Sequence, residues 1–193
     1  VSTMGRKPDT EKKTKLKMIE AGTKLFFENG FDGTSIRGLA REVGCEVGLF
    51  YYYYDSKDAL YNDVIVRFFD PYKKEAEILV EEARKNPYHS LFRFFGFMRE
   101  KVSEFREKYA KKVHASVRYS IREQALTIID PYIEEIIKIL VENGAKPIMN
   151  THLTAVFLSH GVGSIIIHAE KEFVDESEKE VRKTVNTVLG INE

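Results

Sequence analysis

The chain has 193 residues, 43% hydrophobic and 31% charged, a composition that suits one full hydrophobic core or two small ones. Its 30 basic and 30 acidic residues cancel, which argues against a protein that coats nucleic acid without selectivity. The lone cysteine, Cys45, excludes an intramolecular disulfide; with no apolar run of about 18 residues and a polar first segment, a cytoplasmic protein with no membrane partner is expected.

Charge is polarised along the chain. Residues 1–17 hold Arg6, Lys7, Lys12, Lys13, Lys15 and Lys17 against only Asp9 and Glu11, so a basic arm over about residues 1–13 either reaches a phosphate backbone or stays solvated. Beyond it, apolar residues recur every three or four positions and β-branched alternation is scarce, which predicts an all-α fold. The first helix is predicted over Thr14–Asn29, burying Met18, Ile19, Gly22, Leu25 and Phe26, with Gly30 as a left-handed C-cap. Thr34 is the expected N-cap of a short second helix in which Ile36, Leu39, Ala40 and Val43 share one face, and Gly44 stops it. A third helix follows from about Glu46 to Tyr53 or Tyr54. The run Phe50-Tyr51-Tyr52-Tyr53-Tyr54 suits a strand by propensity, but no partner strand is signalled, and an isolated strand leaves its backbone unpaired. Two short helices across a glycine-containing turn, braced by a longer one, make a helix-turn-helix.

The later segments read as further helices. Residues 56–84 form one long helical pattern that Pro71 should end or kink, and Asn86-Pro87 opens a helix with a stripe of Leu91, Phe95, Met98, Val102 and Phe105. Another helix is predicted over Tyr109–Glu123, a further one from Asp130-Pro131 to Asn143-Gly144, and the last two over Thr151 to about Glu172 and Glu176 to about Leu189. The helix from Thr151 is apolar around most of its circumference, so it is either a central core helix or the seam of a homodimer, where Gly161 and Gly163 would permit close approach. Dimer contacts are expected from Val156, Phe157, His160, Gly161, Ser164 and His168, and from Val181, Val185 and Val188 of the last helix.

From Met18 to Leu60 the chain resembles the DNA-binding module of the TetR/AcrR family of transcriptional regulators. The matching residues are Leu25-Phe26, Gly30-Phe31, Thr34, Ile36-Arg37, Leu39-Ala40, Val43-Gly44, Gly48, the aromatic run, Ser56-Lys57 and Leu60. The resemblance implies a DNA-binding domain over residues 1–56 and a helical ligand-binding and dimerisation domain over 57–193. It also implies a homodimer, most often a repressor, that holds a palindromic double-stranded operator until a small molecule enters the C-terminal domain.

On a helical wheel at about 100° per residue, Tyr54 falls beside Phe50, Tyr52 lies opposite near Gly48 and Leu49, and Tyr51 and Tyr53 flank that outer face. Phosphate contacts are therefore expected from Thr34 and Ser35 at a helix start, Arg37, Tyr51, Tyr53 and Lys57. Base contacts are expected from Glu46, Val47, Gly48, Leu49 and Tyr52. Glu46, Val47 and Leu49 depart from the family's usual small polar or basic residues; they suit cytosine N4 and thymine methyls, while Glu46 also repels phosphate.

For an inducer, Phe94, Phe97, Met98, Tyr109, His114, Tyr119 and Arg122 offer a lining for a lipophilic or aromatic molecule, or else are plain core. His152, His160 and His168 recur every eight residues, about 12 Å along a helix, too far apart for shared metal ligation. No cofactor is called for, and no nucleophile–base pairing or phosphate-cradling loop supports an enzyme. Cys45 reads as a packed turn residue or a redox switch. Two alternatives to an inducible repressor stay open: a DNA-binding regulator without a small-molecule inducer, and a helical protein that has lost DNA binding.

Overall fold

A computed structural model of the chain describes residues 8–109 and 112–191. Among these the fold is all helical: α1 (Pro8–Gly33), α2 (Ile36–Val43), α3 (Val47–Tyr53), α4 (Lys57–Phe68), α5 (Asp70–Ala83), α6 (Pro87–Tyr109), α7 (Ala115–Glu142), α8 (Thr151–His168) and α9 (Lys171–Leu189). They form two compact units, one of Val1–Phe69 with Ala110–Ile121, the other of Asp70–Tyr109 with Arg122–Glu193.

The first unit contains the helix-turn-helix. α1 begins six residues before the predicted Thr14 and buries Met18, Ile19 and Phe26. Gly30 breaks it with φ 74°, and a side chain there would strike the His114 ring. The second helix starts one residue later than expected. Its N-cap is Ser35, whose hydroxyl accepts from the Gly38 amide, because the Thr34 hydroxyl is turned inward and already donates to the carbonyls of Leu25 (3.0 Å) and Gly30 (2.8 Å). Gly44 ends α2 in the left-handed conformation, and Glu46 precedes α3 without a capping bond from its side chain.

The second unit is a helical bundle whose core joins Leu91, Phe94 and Met98 of α6 to Ile133, Ile136 and Ile137 of α7 and to Leu158 and Ile166 of α8. Helix boundaries fall at Phe69, just before Pro71, and ahead of Pro87, as the prolines imply. The Tyr109–Glu123 prediction is displaced: α6 runs on to Tyr109, and the next helix starts at Ala115. That helix passes straight through Pro131 instead of restarting there. An interior proline costs about 3 kcal/mol, but burying Leu126, Ile129, Ile133, Ile136, Ile137 and Leu140 on either side outweighs it, at roughly 1.5–3 kcal/mol per large side chain. Near the end of the chain, α8 stops at His168 and α9 begins at Lys171, each boundary several residues earlier than predicted.

Gly30→Ala should destabilise the protein by more than the roughly 1–3 kcal/mol of a non-glycine residue held at positive φ with ψ near 180°, since the His114 ring must also move. Thermal unfolding of the variant beside wild type checks this.

Candidate nucleic-acid interface

α3 is held by its inner face. Phe50 and Tyr54 are buried, and the Tyr54 hydroxyl donates to Asp63 Oδ2 of α4 at 2.7 Å. Arg67 and Lys15 also pair with Asp63, at 3.1 and 3.5 Å, and the Lys15 ammonium sits 5.2 Å from the centre of the Tyr54 ring. This cluster shifts both acids. Burial, then the neighbouring carboxylate, pushes the Tyr54 phenol well above the ordinary range. At Asp63 burial acts upward, but hydrogen bonds from Tyr54 and Arg67 and the charges of Arg67 and Lys15 outweigh it and leave the carboxyl below its ordinary 3.8.

The outer face of α3 is open. Tyr51 and Tyr52 are 53% and 65% exposed, and Gly48, with open space where a Cβ would stand, lies between Val47 and Leu49, which are half-buried. Exposed Ser35 and Arg37 from α2 and exposed Glu46 belong to the same helix-turn-helix. Arg41, one turn beyond Arg37, is exposed as well. Sequence reading passed over it, although the spacing of four that puts two guanidinium groups on one helical face was visible.

Three of the expected phosphate contacts have their polar atoms directed elsewhere. Thr34 is buried, with both hydrogen bonds internal. The Lys57 ammonium donates to the carbonyls of Phe31 (2.8 Å) and Thr34 (2.9 Å) and lies 4.1 Å from the centre of the Phe31 ring. Tyr53 is half-buried, its hydroxyl shielded from solvent and its ring edge-on to Tyr52 at 5.0 Å. Thr34 and Lys57 share a physical reason, since α1 breaks at Gly30 and the carbonyls freed there attract the nearest donors; the Tyr53 hydroxyl is simply buried, with no hydrogen-bond partner among the described residues. Cys45 is half-buried in the turn, and burial, followed by the Glu46 charge, pushes its thiol upward, which disfavours the reactive thiolate.

The expected inducer-lining residues divide between the units. His114 and Tyr119 are exposed and belong to the first; Phe94, Phe97, Met98, Tyr109 and Arg122 belong to the second. There Phe94 and Met98 are core, with Phe94 against Phe97 at 5.9 Å and Tyr132 at 6.3 Å. A shallow cleft open to solvent lies instead between α6, α8 and α9, with Phe92, Phe95, Val162, Ile166 and Val181 as apolar lining and Arg99, Glu178 and Arg182 as charged lining. Neither Phe94 nor Met98 lines it.

On α8, Leu153 and Phe157 are about half exposed, and His160, Gly161 and His168 are exposed beside half-buried Val156 and Ser164. Val185 and Val188, expected at a subunit seam, are buried in this unit's own core, and Val181 lines the cleft. Gly163 is likewise internal, since a Cβ there would lie 3.0 Å from Leu126 and 3.3 Å from Ile129, whereas Gly161 faces open space. His152 and His160 pair with Glu134 (2.9 Å) and Asp130 (3.4 Å), and no group of three metal-ligating side chains exists among the described residues. Nor, among those residues, is any helix long and apolar enough to cross a membrane.

Residues 18–64 match the model of the tetR family of bacterial regulatory proteins. Over this stretch, the helix-turn-helix with its flanking helices, the chain is similar to the TetR family. The matched stretch runs from the core of α1 through the exposed face of α3 to Val64 of α4. Among curated proteins, the probable HTH-type transcriptional regulator YttP of Bacillus subtilis is 36% identical over 64 residues, 33% of this chain and 31% of its own. The biofilm operon negative regulator IcaR of Staphylococcus aureus is 29% identical over 95 residues, 49% of each chain. The aligned stretch thus spans half or less of these relatives. The fold extends further: the structure of RolR in complex with resorcinol superposes with a TM-score of 0.62 over 96% of this chain and 92% of that one, at 16% identity.

The Asp63 cluster has a pH consequence. A carboxyl whose folded value lies below its unfolded 3.8 contributes stability that is fully present above 3.8 and is lost as pH falls through the folded value. Asp63→Asn should be less stable than wild type at neutral pH, and the difference should shrink as pH is lowered below 3.8. Denaturant unfolding at a series of pH values checks both.

Proposed function

We propose that the protein is a homodimeric transcriptional repressor that binds a palindromic double-stranded DNA operator and releases it when a small lipophilic or aromatic molecule binds. DNA binding is assigned to residues 1–56 and ligand binding and dimerisation to 57–193. The observation that carries the DNA part is the outer face of α3, where Gly48, Tyr51 and Tyr52 stand exposed next to Arg37 and Ser35, inside the stretch that matches the TetR family. Gly48 leaves room for close approach to a groove, the Tyr51 hydroxyl and Arg37 suit phosphate, and Tyr52, Val47, Leu49 and Glu46 are placed for base edges.

Dimerisation is supported by the exposed Leu153 and Phe157 on α8, beside Gly161, where a second backbone can come close. A twofold dimer presents two recognition helices, which suits a palindrome with half-sites one or more turns apart. Repression is supported by IcaR, named a negative regulator, and an aromatic inducer by RolR, whose structure holds resorcinol. An inducer releases DNA only in so far as it binds the form that fits the operator poorly more tightly than the form that fits it well. A regulator without an inducer is a second reading, favoured by the packing of Phe94 and Met98 into the core.

Selection from a random duplex library at low salt, followed by affinity measurement on the winning sequence, tests the central reading. The expected result is a palindromic consensus, with Arg37→Ala weakening all sequences alike and lowering the salt slope by about one. Failure to enrich any sequence overturns it.

A further inference from the structure

α3 is too short to hold itself in place. It has seven residues, the Glu46 side chain gives its first amides no cap, and Tyr54 closes it in an extended conformation. A helix of that length is unstable without tertiary anchors. The buried rings of Phe50 and Tyr54 fix which face of α3 points inward, but apolar contact has no direction of its own and leaves the helix free to roll. The bond from the Tyr54 hydroxyl to Asp63 Oδ2, at 2.7 Å, is directional.

Asp63 is itself firmly placed to receive that bond. It stands on α4 between Leu60 and Val64, both buried, and α4 packs so closely on α1 that a Cβ at Gly22 would lie 3.0 Å from Val64 and 3.2 Å from Leu60. Arg67, one turn further along the same helix, donates to Oδ1 at 3.1 Å, which leaves Oδ2 for Tyr54, and Lys15 of α1 also reaches Oδ2, at 3.5 Å. Because the carboxyl is held below its ordinary range and the phenol above its own, acceptor and donor keep these roles at neutral pH. We propose that Asp63 is a positioning residue for sequence recognition: acting through the Tyr54 hydroxyl, it sets the roll of α3 and so the register in which the outer face of that helix meets base edges. This inference rests on the DNA-binding reading above. A recognition helix that rolls loses base-edge hydrogen bonds, which need close alignment, while phosphate contacts from α2 persist; the latch therefore acts on specific affinity and not on non-specific affinity.

The test is the affinity for an operator selected from a random duplex library, divided by that for a scrambled duplex of equal length at the same salt. The folded fraction cancels in this ratio. Tyr54→Phe should lower it about fivefold for each half-site, since the seated orientation loses the worth of one net hydrogen bond. Asp63→Ala should lower it at least as much, and adding Tyr54→Phe to Asp63→Ala should lower it no further. Tyr61→Phe, which removes a hydroxyl bonded to Ser120 at 2.8 Å in the same unit, should leave the ratio as in wild type. The inference is overturned if Tyr54→Phe keeps the wild-type ratio, if Tyr61→Phe lowers it equally, or if the effects of Tyr54→Phe and Asp63→Ala simply add. A wild-type protein that selects no operator overturns the DNA-binding reading and this inference with it; a selected operator with the ratio unmoved in Tyr54→Phe overturns this inference alone.

Discussion

Where α1 breaks at Gly30 its last carbonyl oxygens lose their helical partners, and the rest of the first unit is arranged around satisfying them. Three separate elements supply the donors. The Thr34 hydroxyl, leading into α2, takes Leu25 and Gly30; the Lys57 ammonium, opening α4, takes Phe31 and Thr34; and the His114 amide, just ahead of α7, takes Phe27 at 2.7 Å. Buried carbonyls left unpaired would each cost about 1–3 kcal/mol, so these bonds locate α2, α4 and the start of α7 on the end of α1. The Phe31 ring completes the junction, 6.1 Å from Phe26 and 5.2 Å from Tyr61, whose hydroxyl donates to Ser120.

This junction determines which polar side chains remain for a partner. Lysine, threonine and tyrosine on a helix-turn-helix all suit phosphate by type, but a donor committed to a buried carbonyl is withdrawn from the surface. Outward among the described residues are Ser35, Arg37, Arg41 and Tyr51 of the helix-turn-helix and Lys12, Lys13 and Lys17 of α1, with Glu42 and Glu46 as negative groups among them.

Much of this was legible in the sequence because local chemistry and tertiary structure agree. Gly44 marks a real left-handed cap, Gly30 a positive-φ break inside α1 and not the expected left-handed cap at its end, prolines 71 and 87 mark real starts, and the 100° periodicity correctly turned Phe50 and Tyr54 inward and Tyr52 outward. Failures occurred where distant residues decide. No local signal reveals that Lys57 serves carbonyls of the Gly30 break 26 and 23 residues earlier, or that Ser35 rather than Thr34 caps α2. Pro131 was read by its intrinsic cost, which the buried isoleucines around it override. On α8 and α9 an apolar residue buried within one chain and one buried between two chains look alike in sequence, so Gly163, Val185 and Val188 were assigned outward although they pack inward.

The central claim, that the carbonyl junction at Gly30 and not a partner molecule occupies Lys57, is tested most directly by amide hydrogen exchange on Lys57→Met and wild type without DNA. The expected result is a joint loss of protection in the last turns of α1, in α2 and α4 and in residues 113–117, because these elements share the junction. Unchanged protection throughout, with DNA affinity nevertheless reduced, would contradict it and return Lys57 to the phosphate backbone.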